Sequence, residues 1–199
     1  AVIDYGMGNL HSVSKALQHI SPNSNIWVGD DPDIIKNADR VVYPGVGAIG
    51  DCMGEVRARG LDRVILEVAK TKPLLGICVG MQILFRDGDE HASTELHQGV
   101  GIWQESITKL SAPILPHMGW NTVAVTGPSQ LFKGIADQSF YFVHSYAAKS
   151  SVGSAQGWTT HGEKFLSAVE DGAICATQFH PEKSGDAGLE LIKNWVELL

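Results

Sequence analysis

Short apolar runs alternate with helical periodicity through the first half of the chain. Val2 to Tyr5 reads as a strand, Gly6-Met7-Gly8-Asn9 as a turn, and Leu10 to His19 as a helix with Leu10, Val13, Ala16 and Leu17 on one face. Asn25 to Val28 predicts a second strand and Arg40 to Tyr43 a third that stops at Pro44-Gly45. Leu61 to Lys70 has helical spacing, and Leu74 to Ile77 reads as a buried strand running into a helix over Gly80 to Phe85. Continuous apolar strands separated by amphipathic helices are what a parallel sheet with crossover helices leaves in a sequence.

The second half changes character. Trp103 to Leu110, Asn121 to Val125, Phe140 to Tyr146, Lys164 to Glu170 and Ile174 to Phe179 read as strands joined by loops, followed by a final helix over Asp186 to Leu199. Residues 86 to 100 are polar and Gly-containing and read as a loop. The expectation is an α/β fold: a mostly parallel sheet with flanking helices and an added, partly antiparallel β region. With no repeat, no low-complexity tract and no Ser/Pro linker, one domain over 1–199 is expected.

Composition narrows the function classes. A chain of 199 residues with 44% hydrophobic content can bury about 70% of its unfolded surface and should fold alone. The net charge of −7 argues against nucleic acid or an anionic membrane surface as the main partner. No apolar run approaches the roughly 20 residues needed to span a bilayer, and no basic-then-apolar leader opens the chain. It starts directly in a strand without Met, so a few leading residues are expected before Ala1. The three cysteines, Cys52, Cys78 and Cys175, are too few and too scattered for a disulfide framework, and a reducing cytoplasmic setting is expected.

The sharpest local feature is Gly76-Ile77-Cys78-Val79-Gly80 between an apolar strand and a helical segment. This G-x-C-x-G arrangement is similar to a nucleophile elbow, in which glycines remove the Cβ atoms that a tight strand-to-helix turn cannot hold. The thiol it presents would meet backbone N–H groups and the positive end of a helix dipole, both favouring thiolate. A buried structural Cys fits the pentapeptide equally well. A nucleophile needs a base, and the run Ile174 to Phe179 ends at His180-Pro181-Glu182, where a carboxylate two residues on could orient the imidazole. His-x-Glu also begins a zinc deaminase signature, but the required Pro-Cys-x-x-Cys is absent. His11, His19, His91, His97, His117, His144 and His161 show no metal-ligand spacing, so no metal and no cofactor are expected. Gly6-Met7-Gly8-Asn9 lacks the further Gly or Lys of a nucleotide loop. Pro44-Gly45-Val46-Gly47 follows a strand end and could aim N–H groups at an oxyanion. Three candidate groups thus fall at strand ends, where ligands of open α/β sheets bind.

Taken together, Gly76 to Gln82 and His180-Pro181-Glu182 resemble the class I (triad) glutamine amidotransferases. More narrowly, Asp4 to Leu10, Pro44 to Ala48, Pro116-His117-Met118-Gly119-Trp120-Asn121, Tyr141 to Tyr146 and His180 to Gly185 resemble the glutaminase subunits of imidazole glycerol phosphate synthases, over essentially the whole chain. The resemblance implies Cys78 as nucleophile, His180 as general base and acid, and Glu182 as its orienting carboxylate. It implies Val46, Gly47 and Val79 at the oxyanion hole, and Asn9, Gln82, Glu90, Ser145 and Tyr146 around the substrate glutamine. It further implies a heterodimer with a (β/α)8 barrel cyclase subunit, with Pro116, Met118, Trp120 and Asn121 at the interface. Val79 departs from the commoner Leu of the family, and the 87 to 98 loop matches no family pattern. Other triad amidotransferases, such as anthranilate or aminodeoxychorismate synthase components, carry Pro-Gly-Pro-Gly and His-Pro-Glu-Ser where this chain has Val46 and Lys183. A catalytically dead scaffold is the alternative from another class, against which the intact Cys78, His180 and Glu182 stand.

Overall fold

A computed structural model describes residues 1–199. The first half folds as strands β1 (Val2–Ile3), β2 (Val28–Gly29), β3 (Val41–Gly45) and β4 (Leu74–Cys78) with helices α1 (Leu10–Ile20), α2 (Pro32–Asn37), α3 (Ile49–Ala58) and α4 (Leu61–Thr71). A single turn, α5 (Val79–Gln82), follows β4 directly. The second half contributes β5 (Phe85–Gly88), β6 (His97–Gln98), β7 (Trp103–Lys109), β8 (His117–Thr122), β9 (Ala124–Thr126), β10 (Ser139–His144), β11 (Tyr146–Ala148), β12 (Ala155–His161), β13 (Glu163–Asp171), β14 (Ile174–Thr177) and the closing helix α6 (Gly185–Leu198).

The main sheet has eight strands in the order β2-β1-β3-β4-β14-β13-β12-β9. Its first five run parallel, and β13, β12 and β9 continue it antiparallel. Two smaller sheets complete the added β region: β10 with β8, and the four-stranded β11-β7-β5-β6. The expected architecture is therefore present. β3 and β4 are buried at every position, as strands covered on both faces must be, and one cluster of 49 buried residues draws on both halves of the chain.

Differences from the sequence expectation have local causes. The helix expected over Gly80 to Phe85 ends after one turn; Met81, Ile83, Leu84 and Phe85 are all fully buried, so no amphipathic period marks where it stops. Phe85 instead opens β5, and the segment read as a loop over 86 to 100 holds parts of two strands. The strand expected over Asn121 to Val125 is two strands broken at the buried Val123, and β8 begins at His117, inside the segment read from the resemblance as an interface. α2, α3 and β12 are additional elements. α2 is marked by Asp31, whose side chain caps Asp33 and Ile34 N–H, with Pro32 at the first helical position.

Candidate active site

Strands β3, β4 and β14 are neighbours and run the same way, so their carboxyl ends deliver Gly45-Val46-Gly47, Cys78 and His180 to one edge of the sheet. Cys78 stands at φ +56 and ψ −113, a conformation costly for a residue with a Cβ. The flanking glycines make it attainable. A Cβ on Gly80 would overlap the Tyr43 carbonyl of β3, and one on Gly76 would press on the Gly80 carbonyl at 2.8 Å. The elbow is therefore wedged against its neighbouring strand, with Cys78 only 4% exposed.

The candidate base, His180, is positioned by a different device. After β14 the chain passes Gln178 and Phe179 to His180, and Pro181 starts a short 3-10 turn over Pro181–Lys183 that leads into α6. The His180 N–H donates to the Tyr141 carbonyl of β10, and the Ser184 hydroxyl donates to the His180 carbonyl. Held at both ends, His180 places Nδ1 2.8 Å from Glu182 Oε1, with the two side chains 2% and 0% exposed. Asn9, reached from the far end of the sequence, donates a second hydrogen bond to the same oxygen at 3.1 Å. Burial by itself lowers the His180 pKa, but the nearby Cys78 sulfur and the Glu182 carboxylate overrule it and raise it to about 10. Nε2 is buried without a hydrogen-bond partner, on the cavity that Cys78 also lines.

That cavity has a volume of about 190 Å³. Val46, Gly47 and Val79 line it, as do Gln82, Glu90, Ser145 and Tyr146, so every oxyanion and substrate residue implied by the resemblance meets there except Asn9. Asn9 is not in the cavity lining; its amide is spent on Glu182. Gly47 has φ +105, a left-handed conformation that favours Gly. Val46 is 37% exposed, and its carbonyl accepts from the Cys52 thiol at 3.4 Å. Burial pushes Cys52 up to about 11 and Cys175 well up too, which keeps both as neutral thiols. The short length of α5 removes most of the helix dipole expected behind Cys78, leaving the N–H groups of its first turn.

Sequence reasoning missed two groups. Gln178 is fully buried, and its amide N–H lies 3.8 Å from the Cys78 sulfur. The available signal was an amide just past the end of β14, between Thr177 and Phe179, in a run that is buried throughout. His117 and His144 face each other across β8 and β10, Nδ1 to Nε2 at 3.0 Å, and His144 also lines the cavity. Of the interface residues, Pro116, Met118 and Trp120 are exposed, the latter two at 62% and 59%. Asn121 turns to the other face of β8, toward His117 and the Thr160 carbonyl.

A buried thiol on a strained elbow beside a carboxylate-held imidazole is the arrangement of a triad amidohydrolase. The family described as glutamine amidotransferase class-I matches residues 1–198. The chain is 51% identical to the imidazole glycerol phosphate synthase subunit HisH of Mycolicibacterium paratuberculosis, over 100% of this chain and 97% of that one. It is 46% identical to the protein of the same name from Corynebacterium diphtheriae, over 100% and 98%. A crystal structure of a glutamine amidotransferase superposes with a TM-score of 0.72 at 14% identity, over 96% of both chains. The glutaminase domain of Trypanosoma brucei CTPS, solved with bound acivicin, gives 0.62 at 15% identity, over 98% and 92%. The chain belongs to the class-I glutamine amidotransferase family. Within that family, both of these sequence relatives, matched along the full length of the chain, are HisH subunits of imidazole glycerol phosphate synthase.

Proposed function

We propose that the chain is the glutaminase half of an imidazole glycerol phosphate synthase, hydrolysing glutamine to glutamate and passing the ammonia to a cyclase partner in histidine biosynthesis. The observation that carries this reading is the buried His180–Glu182 pair at 2.8 Å on the same small cavity as the Cys78 elbow. Cys78 thiolate attacks the side-chain amide carbon of glutamine. N–H groups around Val46, Gly47 and Val79 stabilise the tetrahedral oxyanion. His180 gives its proton to the departing ammonia, leaving a thioester, and then takes a proton from the water that hydrolyses it. Glu182, doubly hydrogen-bonded, holds the imidazole and balances its charge. Glu90, its pKa raised first of all by burial, and Ser145 with Tyr146 frame the rest of the substrate. The Gln82 side-chain oxygen is buried and unpartnered, an acceptor for the substrate's amino group.

Ammonia released to bulk water near neutral pH would protonate and lose its nucleophilicity, so a transfer enzyme delivers it internally. The partner is a (β/α)8 barrel cyclase, and Met118 and Trp120 supply the apolar part of the surface it covers. These residues lie on β8, whose neighbour β10 pairs Tyr141 with Trp120 and holds the His180 N–H through the Tyr141 carbonyl. The docking edge is thus one strand away from the base. No helix is long and apolar enough to cross a membrane, and three free cysteines suit a reducing cytoplasm. Glutamate release with and without the cyclase subunit tests the reading. Labelling of Cys78 by a glutamine-mimicking electrophile is expected for the enzyme, and its absence would favour a scaffold.

A further inference from the structure

The Gln178 side chain has no part in the chemistry described so far, yet it is fully buried and directed at the reacting sulfur. Its surroundings fix which end of the amide the sulfur meets. The Tyr146 backbone carbonyl can only accept, and it takes one hydrogen bond from His144 Nδ1 at 3.0 Å and another from Gln82 Nε2 at 3.0 Å. Gln82 must therefore turn its nitrogen toward Tyr146. That same nitrogen donates to Gln178 Oε1 at 3.0 Å. With its oxygen committed there, Gln178 has only its nitrogen left to face Cys78, and it does so at 3.8 Å. Reversing the Gln178 amide would set its N–H donors against the Gln82 N–H donors and an oxygen lone pair against the sulfur.

His144 is committed in the same way. Donating from Nδ1 to Tyr146 leaves Nε2 as an acceptor when the ring is neutral, so the His117 Nδ1 facing it must carry a proton, and His117 Nε2 in turn accepts from Asn121 Nδ2 at 3.1 Å. Two branches thus donate into the Tyr146 carbonyl, one from His144 and one from Gln82, and the second fixes the Gln178 amide with its donor on the sulfur.

We propose that Gln178 is a further catalytic residue, donating a hydrogen bond to the Cys78 sulfur that strengthens as the sulfur becomes thiolate. A buried donor with a charged acceptor makes a stronger bond than a neutral pair. It favours the attacking form of the nucleophile and fixes the direction of its lone pairs, and it weakens once the C–S bond forms. This role rests on Cys78 being the nucleophile. Gln178 does not itself line the cavity, and its neighbour Gln82 stays anchored on the Tyr146 carbonyl, so the main effect belongs to the chemical step.

The test replaces Gln178 by Met, similar in length and without a donor, and by Leu as a second variant. Alkylation of Cys78 by iodoacetamide in the isolated chain is expected to slow about tenfold. Glutamine turnover in the complex with the cyclase subunit should show kcat reduced by a similar factor, with KM held within about twofold. An unchanged alkylation rate in either folded variant would overturn the proposal. Should neither variant fold, the wild-type chain still decides. The Gln178 side-chain amide signals in a ¹⁵N-correlated NMR spectrum should move when Cys78 is alkylated, and signals that stay in place would overturn it. Failure of the underlying reading looks different: Cys78→Ser would then retain glutaminase activity whatever Gln178 does.

Discussion

The two flanks of Cys78 are built to different standards. On the β14 side, His180 is tied by its backbone to Tyr141 and Ser184, its ring is held by Glu182, and that carboxylate is held again by Asn9. On the β3 side, Val46 is 37% exposed, Gly47 sits at φ +105, and the one side-chain hydrogen bond to the turn comes from a thiol, Cys52, to the Val46 carbonyl. The base is preorganised within the chain. The oxyanion turn is held by a weak donor and a residue free to change its backbone conformation. On the proposed reading, the acid–base half of the chemistry is complete in this subunit, whereas the electrostatic half is finished from outside.

The largest effect expected is on the nucleophile between the flanks. Cys78→Ser should lower glutamate release by about a thousandfold or more while leaving association with the cyclase subunit intact, as a turnover assay and a gel-filtration profile would show. Next comes the rigid flank. Glu182→Gln leaves the shape but removes the charge that orients His180, and should cut kcat by about a hundredfold or more at nearly unchanged KM. The loose flank should respond more modestly. Gly47→Ala places a Cβ at positive φ within 2.9 Å of the Met7 side chain, so it should reduce partner-stimulated turnover by about tenfold and leave iodoacetamide alkylation of Cys78 near wild type. A loss of alkylation there would show that the flanks are not separable.

The effect furthest from turnover is on stability against pH. His117 and His144 have pKa values depressed by burial, from 6.5 to about 4 and about 3 respectively. The unfolded chain binds protons at these sites below pH 6.5 and the folded chain does not. Their contribution is therefore present above 6.5 and is lost as pH falls toward 4, at up to about 1.4 kcal/mol per histidine per pH unit. His180 has the opposite sign: with its pKa raised to about 10, its contribution is complete below 6.5 and is lost as pH rises through 10. Urea midpoints at about pH 7 and about pH 5 should show the loss, and His144→Gln should flatten it. An equal acid slope in that variant would remove His144 from the explanation.

Legibility in the sequence divides along similar lines. Gly76, Gly80, Cys78 and the His180-Pro181-Glu182 turn are readable because each depends on a short local pattern: glycines where backbones touch, and a proline between a base and its carboxylate. β3 and β4 are readable because they are buried on both faces. The end of α5 is not, since Ile83, Leu84 and Phe85 are buried in helix turn and strand alike, and hydrophobicity cannot mark where one becomes the other. Asn9 is placed near the substrate by resemblance, yet its hydrogen bond to Glu182 spans 173 residues, a contact no local pattern encodes. Gln178 and the His117–His144 pair escape the sequence for the same reason, since their roles arise from strand register and from the direction of hydrogen bonds.

The asymmetry of the two flanks is tested most directly by glutamate release from the isolated chain, measured before and after addition of the cyclase subunit with its phosphorylated ligand. A slow basal rate that rises by about a hundredfold or more would show a finished base awaiting its oxyanion donors. A high rate in the isolated chain, unchanged by the partner, would contradict the account.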